Sequence, residues 1–178
     1  VGMDRWAFCR VIIIRSEDRG RTWKTWGNVG TIHQDEGLNE SSLRLTPTGD
    51  LVIVMRMGHQ SPLHIAWSSD RGQTWTDPVP TPFPTGTLPK LTVLEDGSLV
   101  LLHGVQSIIP PEVTEQVNDV RPSLNLKFKY RMGEVNLGVS RNGTGKKWDE
   151  IGNVLTWPNT TGNGGILTTS PNSVGLVF

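Results

Sequence analysis

The chain has 178 residues, with 17 Lys+Arg set against 17 Asp+Glu and no net formal charge. A neutral balance gives no broad electrostatic footprint for nucleic acid or an anionic membrane. No apolar run approaches the ~20 residues of a membrane-spanning helix, and a single cysteine, Cys9, excludes an internal disulfide.

Twenty glycines, 12 prolines and seven tryptophans suit a turn-rich, all-β chain. The first β-type run is Val11-Ile12-Ile13-Ile14, and Cys9 just ahead of it is expected to be a buried small hydrophobe. The run leads into Ser16-Glu17-Asp18-Arg19-Gly20-Arg21-Thr22-Trp23. Next, the stretch from Leu43 to Val54 reads as strand, turn at Gly49, strand. A further run, Leu63-His64-Ile65-Ala66-Trp67, leads into Ser68-Ser69-Asp70-Arg71-Gly72-Gln73-Thr74-Trp75, which matches the first octapeptide at six of eight positions, 52 residues on. The stretch from Leu91 to Leu102 repeats the earlier hairpin 48 residues on, with Gly97 at its turn. Residues 105–127 break the pattern, and a connection of this length is often functional. Val135-Asn136-Leu137-Gly138-Val139 precedes a worn third octapeptide, from Ser140 to Trp148, with Asn142 in place of Asp and one residue inserted. The tail from Ile166 to Val177 is a third copy of the hairpin.

The octapeptide S-x-D-x-G-x-T-W predicts a tight hairpin turn. The Asp carboxylate accepts hydrogen bonds from its own turn. The Gly takes a backbone conformation that other residues resist, and the Trp folds back as an apolar anchor whose ring N–H still finds a partner. This motif is similar to the Asp box, or BNR repeat, of sialidases (neuraminidases). The resemblance implies a β-propeller of four-stranded antiparallel blades, with each box joining the third and fourth strands at the outer rim, away from the active site. Ser16, Asp18, Gly20, Trp23, Ser68, Asp70, Gly72, Trp75, Asn142 and Trp148 are therefore read as structural.

The expected organisation is a single partial propeller domain over 1–178. Residues 1–32 hold strands three and four of one blade, 38–82 a full blade, 87–157 a full blade with the long loop, and 163–178 strands one and two of a further blade. This sums to about three blades, half of the six-bladed ring that sialidases use. Two arrangements satisfy that count: a piece of a longer propeller, or a head-to-tail homodimer completing six blades. Ends that fall within strand-like sequence favour the first.

The chemistry is sought at the opposite end of the blades. With the turn at Gly49, an antiparallel hairpin pairs Leu45 with Leu51 and brings Glu40 opposite Arg56. By resemblance to sialidases, Glu40 would be the carboxylate that activates a tyrosine nucleophile, a departure from the two-carboxylate glycosidase scheme. Arg56 would be one arginine of a triad clamping the carboxylate of the sugar, since guanidinium binds carboxylate through paired charge-assisted hydrogen bonds. The competing reading is a cross-strand ion pair that steadies the hairpin. Arg131, nine residues before Ser140, is the candidate for the third arginine, with Arg121 a weaker rival. His59 and Asp35, with His33 and Glu36, lie on connections that lead to the same end. The only tyrosine, Tyr130, lies beside Arg131 and not downstream of it, and no motif carries the first arginine.

The four histidines show no metal-ligand spacing, and no motif implies a cofactor. Trp6, Trp26, Trp67 and Trp157 could stack on sugars, although blade packing is the commoner role of a propeller Trp. Three N-x-[ST] sequons, at Asn39, Asn142 and Asn159, carry little weight. The expected function is a sialidase-like glycoside hydrolase propeller acting on a terminal acidic sugar, incomplete as this chain. The alternative is a non-catalytic propeller module binding carbohydrate or a protein partner. The resemblance favours a secreted or periplasmic setting.

Overall fold

The computed structural model describes residues 9–30, 37–57, 61–108, 131–158 and 164–177. They form twelve strands and no helix. The strands are β1 (Val11–Arg15), β2 (Lys24–Gly30), β3 (Asn39–Leu45), β4 (Leu51–Arg56), β5 (His64–Ser68), β6 (Val79–Pro80), β7 (Thr87–Val93), β8 (Leu99–Ile108), β9 (Arg131–Ser140), β10 (Glu150–Pro158), β11 (Gly165–Ser170) and β12 (Ser173–Val177). They pair antiparallel into a two-stranded sheet β1-β2, a four-stranded sheet β3-β4-β5-β6, a four-stranded sheet β7-β8-β9-β10 and a two-stranded sheet β11-β12.

Strand β4, Leu-Val-Ile-Val-Met-Arg, shows why the sheets stack. A continuous apolar run suits a strand covered on both faces, and alternate side chains leave on opposite sides. Val52 and Val54 enter a core with Leu63, Ile65, Phe83, Leu91, Leu99 and Leu101, between the two four-stranded sheets. Ile53 and Met55 enter a second core with Val11, Val29, Leu38, Met57 and Ala66, towards β1-β2. The ring of Phe83 is fully buried and meets Trp148 edge-on at 5.1 Å between centroids. An added Cβ on Gly138 would stand 2.4 Å from that ring, so close approach of sheet and ring requires a glycine there.

The first strands of successive sheets lie side by side. Leu91 N donates to Ser42 Oγ at 3.0 Å, joining β7 to β3. The hydroxyls of Thr92 and Thr168 meet at 3.1 Å, joining β7 to β11. These are stacked blades around a common inner line of strands, as a propeller requires.

Three details depart from the sequence reading. Cys9 is exposed and not buried. It precedes β1, whose outer face carries no further sheet among the described residues, and Ile12 and Ile14 are exposed for the same reason. The β3-β4 register pairs Leu45 with Leu51, but a bulge between Asn39 and Ser41 places Asn39, not Glu40, opposite Arg56. Strand β8 continues to Ile108, paired with β9 throughout, so part of the expected loop is sheet.

Candidate functional site

Each box closes the turn between its third and fourth strands: β1 to β2, β5 to β6, β9 to β10. In the second, Ser68 Oγ donates to Asp70 Oδ1 at 2.8 Å and accepts from Gly72 N at 2.8 Å. Asp70 Oδ1 also accepts from Gln73 N and Thr74 N, and Oδ2 from the Thr74 hydroxyl. The Trp75 ring N–H returns to Gly72 O at 3.0 Å. The turn is left-handed at both Arg71 (φ 62°) and Gly72 (φ 91°), which favours glycine at the second. The first box repeats this through Ser16, Asp18, Gly20 and Thr22, with Trp23 N–H on Gly20 O. Hydrogen bonds from the turn, above all from Thr22 and Thr74, hold the Asp18 and Asp70 carboxyls at about 2, well below the ordinary range.

The worn box keeps the scheme. Asn142 Oδ1 accepts from the Ser140 hydroxyl and from Thr144, and Gly145 N donates to Ser140 Oγ as Gly72 N does to Ser68. The inserted residue therefore lies between Asn142 and Gly145. Trp148 packs into the core beside Phe83. Trp23 is the exception, 61% exposed although folded back, because no blade precedes the first box among the described residues. The Asp18 and Asp70 carboxylates are spent on their own turns.

The opposite end of the blades holds a different carboxylate. Glu40 Oε1 accepts from Arg56 Nη1 at 2.8 Å. Its other oxygen, Oε2, accepts from Leu88 N at 2.8 Å, on the first strand of the next blade. Leu88 has φ 50°, an unusual left-handed value for a branched side chain. The Arg56 side chain is 10% exposed and that of Glu40 is 32% exposed. The arginine is thus a fixed, nearly buried donor, while the carboxylate reaches solvent and retains acceptor capacity beyond its two bonds.

The bulge explains how the two meet although they are not register partners: the extra residue re-aims Glu40 towards Arg56. Sequence reasoning found the pair but missed the Leu88 N–H, since a backbone donor leaves no mark in the sequence. Arg131 opens β9 opposite Ile108, four residues before Val135, which faces Gly104. His59, Asp35, His33, Glu36, Arg121 and Tyr130 lie outside the described residues. His64 and His103 are both buried. Burial pushes the His103 imidazole down to about 4, so it is neutral at pH 7. Among the described residues no group of three His, Cys, Asp or Glu side chains gathers as a metal site, and no helix is long and apolar enough to cross a membrane.

A family model described as a BNR repeat-like domain matches residues 7–156. The chain belongs to this family. No curated protein matches it. BNR-repeat solved structures give the fold. An alpha-L-arabinofuranosidase from Fusarium graminearum in complex with an iminosugar inhibitor superposes with TM-score 0.55 at 17% identity, over 84% of this chain and 42% of that one. The same enzyme in complex with arabinobiose gives 0.52 at 16% identity, over 84% and 42%. NanB sialidase from Streptococcus pneumoniae gives 0.53 at 16% identity, over 85% and 20%. The chain therefore spans less than half the length of each. It is an all-β BNR-repeat propeller with about three blades present.

Proposed function

We propose that this chain is part of a sialidase-like glycoside hydrolase propeller, a single domain of about half a six-bladed ring, acting on a terminal acidic sugar. The observation that carries the reading is the Glu40–Arg56 pair at the end of the blades opposite the boxes. A nearly buried guanidinium beside a solvent-reaching carboxylate is a built arrangement, and paired guanidinium N–H groups are the natural partner of a sugar carboxylate. Glu40 is assigned as the base towards a nucleophile, and Arg56 and Arg131 as binders of the sugar's carboxylate. His59 and Asp35 are assigned as further sugar-binding residues. The likeness to sugar-processing propellers supports a carbohydrate ligand, and the Arg56 guanidinium is what favours an acidic one.

A second reading has its own observation. Both Glu40 oxygens are bonded, one to the neighbouring blade, which is what a staple in a non-catalytic binding module would also do. A fluorogenic sialoside assay and a binding titration with sialic acid separate the two. This chain is expected to show no turnover, because its only tyrosine stands beside Arg131. It is expected to bind sialic acid in a manner that Arg56→Lys weakens by about tenfold, the loss of one charged hydrogen bond. Binding that ignores the substitution removes the clamp role, and turnover lost in Glu40→Gln overturns the expectation of inactivity.

A further inference from the structure

A second place on the molecule has the character of a ligand site, and it lies at the rim. Asp50 from the β3-β4 turn, Trp67 on β5, Ser69, Trp75 and Thr76 around the second box, and Lys146 from the third box line a cleft of about 350 Å³. Its walls come from the two complete four-stranded sheets. The volume stands at the small end of the ~300–1,000 Å³ of small-molecule sites.

Two indoles are anchored in it. The Trp67 ring N–H donates to Thr144 O at 2.7 Å, and that of Trp75 to Gly72 O at 3.0 Å. Each ring also packs on one of the two cores. Their polar atoms are satisfied and their positions fixed, so what remains to offer is rigid aromatic surface. Lys146 Nζ stands 5.7 Å from the centroid of the Trp67 ring, and this ammonium makes no hydrogen bond or ion pair among the described residues. The Asp50 carboxylate has one long contact, from the Thr48 hydroxyl at 3.4 Å.

The first box supplies the contrast. A cleft of about 200 Å³ there is lined by Arg15, Glu17, Trp23 and Lys24. Glu17 is paired with Lys24 at 2.6 Å and Arg15 at 3.5 Å, and both cations lie over Trp26. Those charges satisfy one another. At the second box the cation and the anion are both present and are not spent on each other.

We propose that the cleft between the second and third blades binds a neutral sugar unit. The weakly positive C–H face of a sugar ring packs on the negative face of an indole. Sugar hydroxyls donate to Asp50 and accept from Lys146 and the Ser69 and Thr76 hydroxyls. One carboxylate and one ammonium leave no net charge to attract an acidic sugar, and Asp50 opposes one. The site is on the far side of the blades from Glu40 and Arg56, so it is independent of the reading given for them.

The test follows the indole N–H signals of the intact chain by NMR during separate titrations with maltotriose, arabinobiose and sialic acid. At least one neutral sugar is expected to shift the Trp67 and Trp75 signals saturably. Asp50→Ala and Lys146→Ala are each expected to weaken that binding about tenfold, the loss of one charged hydrogen bond. Both residues reach solvent, so the melting temperature checks that each variant stays folded. The proposal is overturned if no neutral sugar moves the two signals, if both variants bind as the parent does, or if sialic acid moves them with equal affinity.

Discussion

The two ends of the second blade handle their acidic residues in opposite ways. At the rim, Asp70 turns both oxygens inward on residues within four positions of itself. At the other end, Glu40 reaches 16 residues along the chain to Arg56 and 48 to Leu88. The rim carboxylate builds a local turn and could be lifted to another protein with its octapeptide. Glu40 depends on three strands of two sheets being in place. A carboxylate of the first kind marks a fold, while one of the second kind ties two sheets together.

That contrast can be broken most forcefully at Arg56. Replacing it with Ala removes the partner of a half-buried carboxylate and should cost about 2–3 kcal/mol, discounted from the ~3–5 of a fully buried pair because Glu40 reaches solvent. Chemical denaturation measures it, and a loss no larger than that of an exposed ion pair would mean that Glu40 is not a long-range tie. Asp70→Ala should lower the melting temperature by less, with the change confined to hydrogen-exchange protection around the second box. A loss of protection at Leu88 in that variant would erase the distinction between the two ends.

The rim also predicts an acid response. Asp18 and Asp70 have folded values near 2, depressed from 3.8. A depressed carboxyl contributes stability that is complete above its unfolded value and is lost as pH falls through the folded one. Stability should therefore decline between about pH 4 and pH 2, and the decline should be shallower in Asp70→Asn. The smallest effect is expected for Asn142→Asp. Giving the worn box its carboxylate should raise the melting temperature slightly at neutral pH and make that gain vanish in acid, and a gain that persists in acid would show that charge is not what the box uses.

Local features were legible in the sequence and relational ones were not. The boxes and the Gly49 and Gly97 hairpins announce themselves because turn chemistry resides within a few residues, and the stacking of blades follows from their repetition. The Glu40–Arg56 pair was readable because it needs only a turn position and a count, although the count was one residue out at the bulge. What depended on neighbours was hidden. Exposure of Cys9 and Trp23 reflects which sheet covers them, and the Leu88 N–H becomes a partner only when a second blade docks. Arg131 lies in between, since its place near the start of a strand was foreseeable and its pairing with Ile108 was not.

The ring nitrogens of Trp26 and Trp67 carry a last consequence. Each donates to a carbonyl in the box of the blade that follows, Arg71 O at 2.9 Å and Thr144 O at 2.7 Å. The second and third boxes are thus each both a turn for their own blade and a receptacle for the one before. Nearest-neighbour interfaces of this kind make the stability of an array a sum of unit and interface contributions, as in solenoids. Melting of one blade deprives its predecessor of a hydrogen-bond acceptor, so the blades should unfold as a linked series and not one at a time.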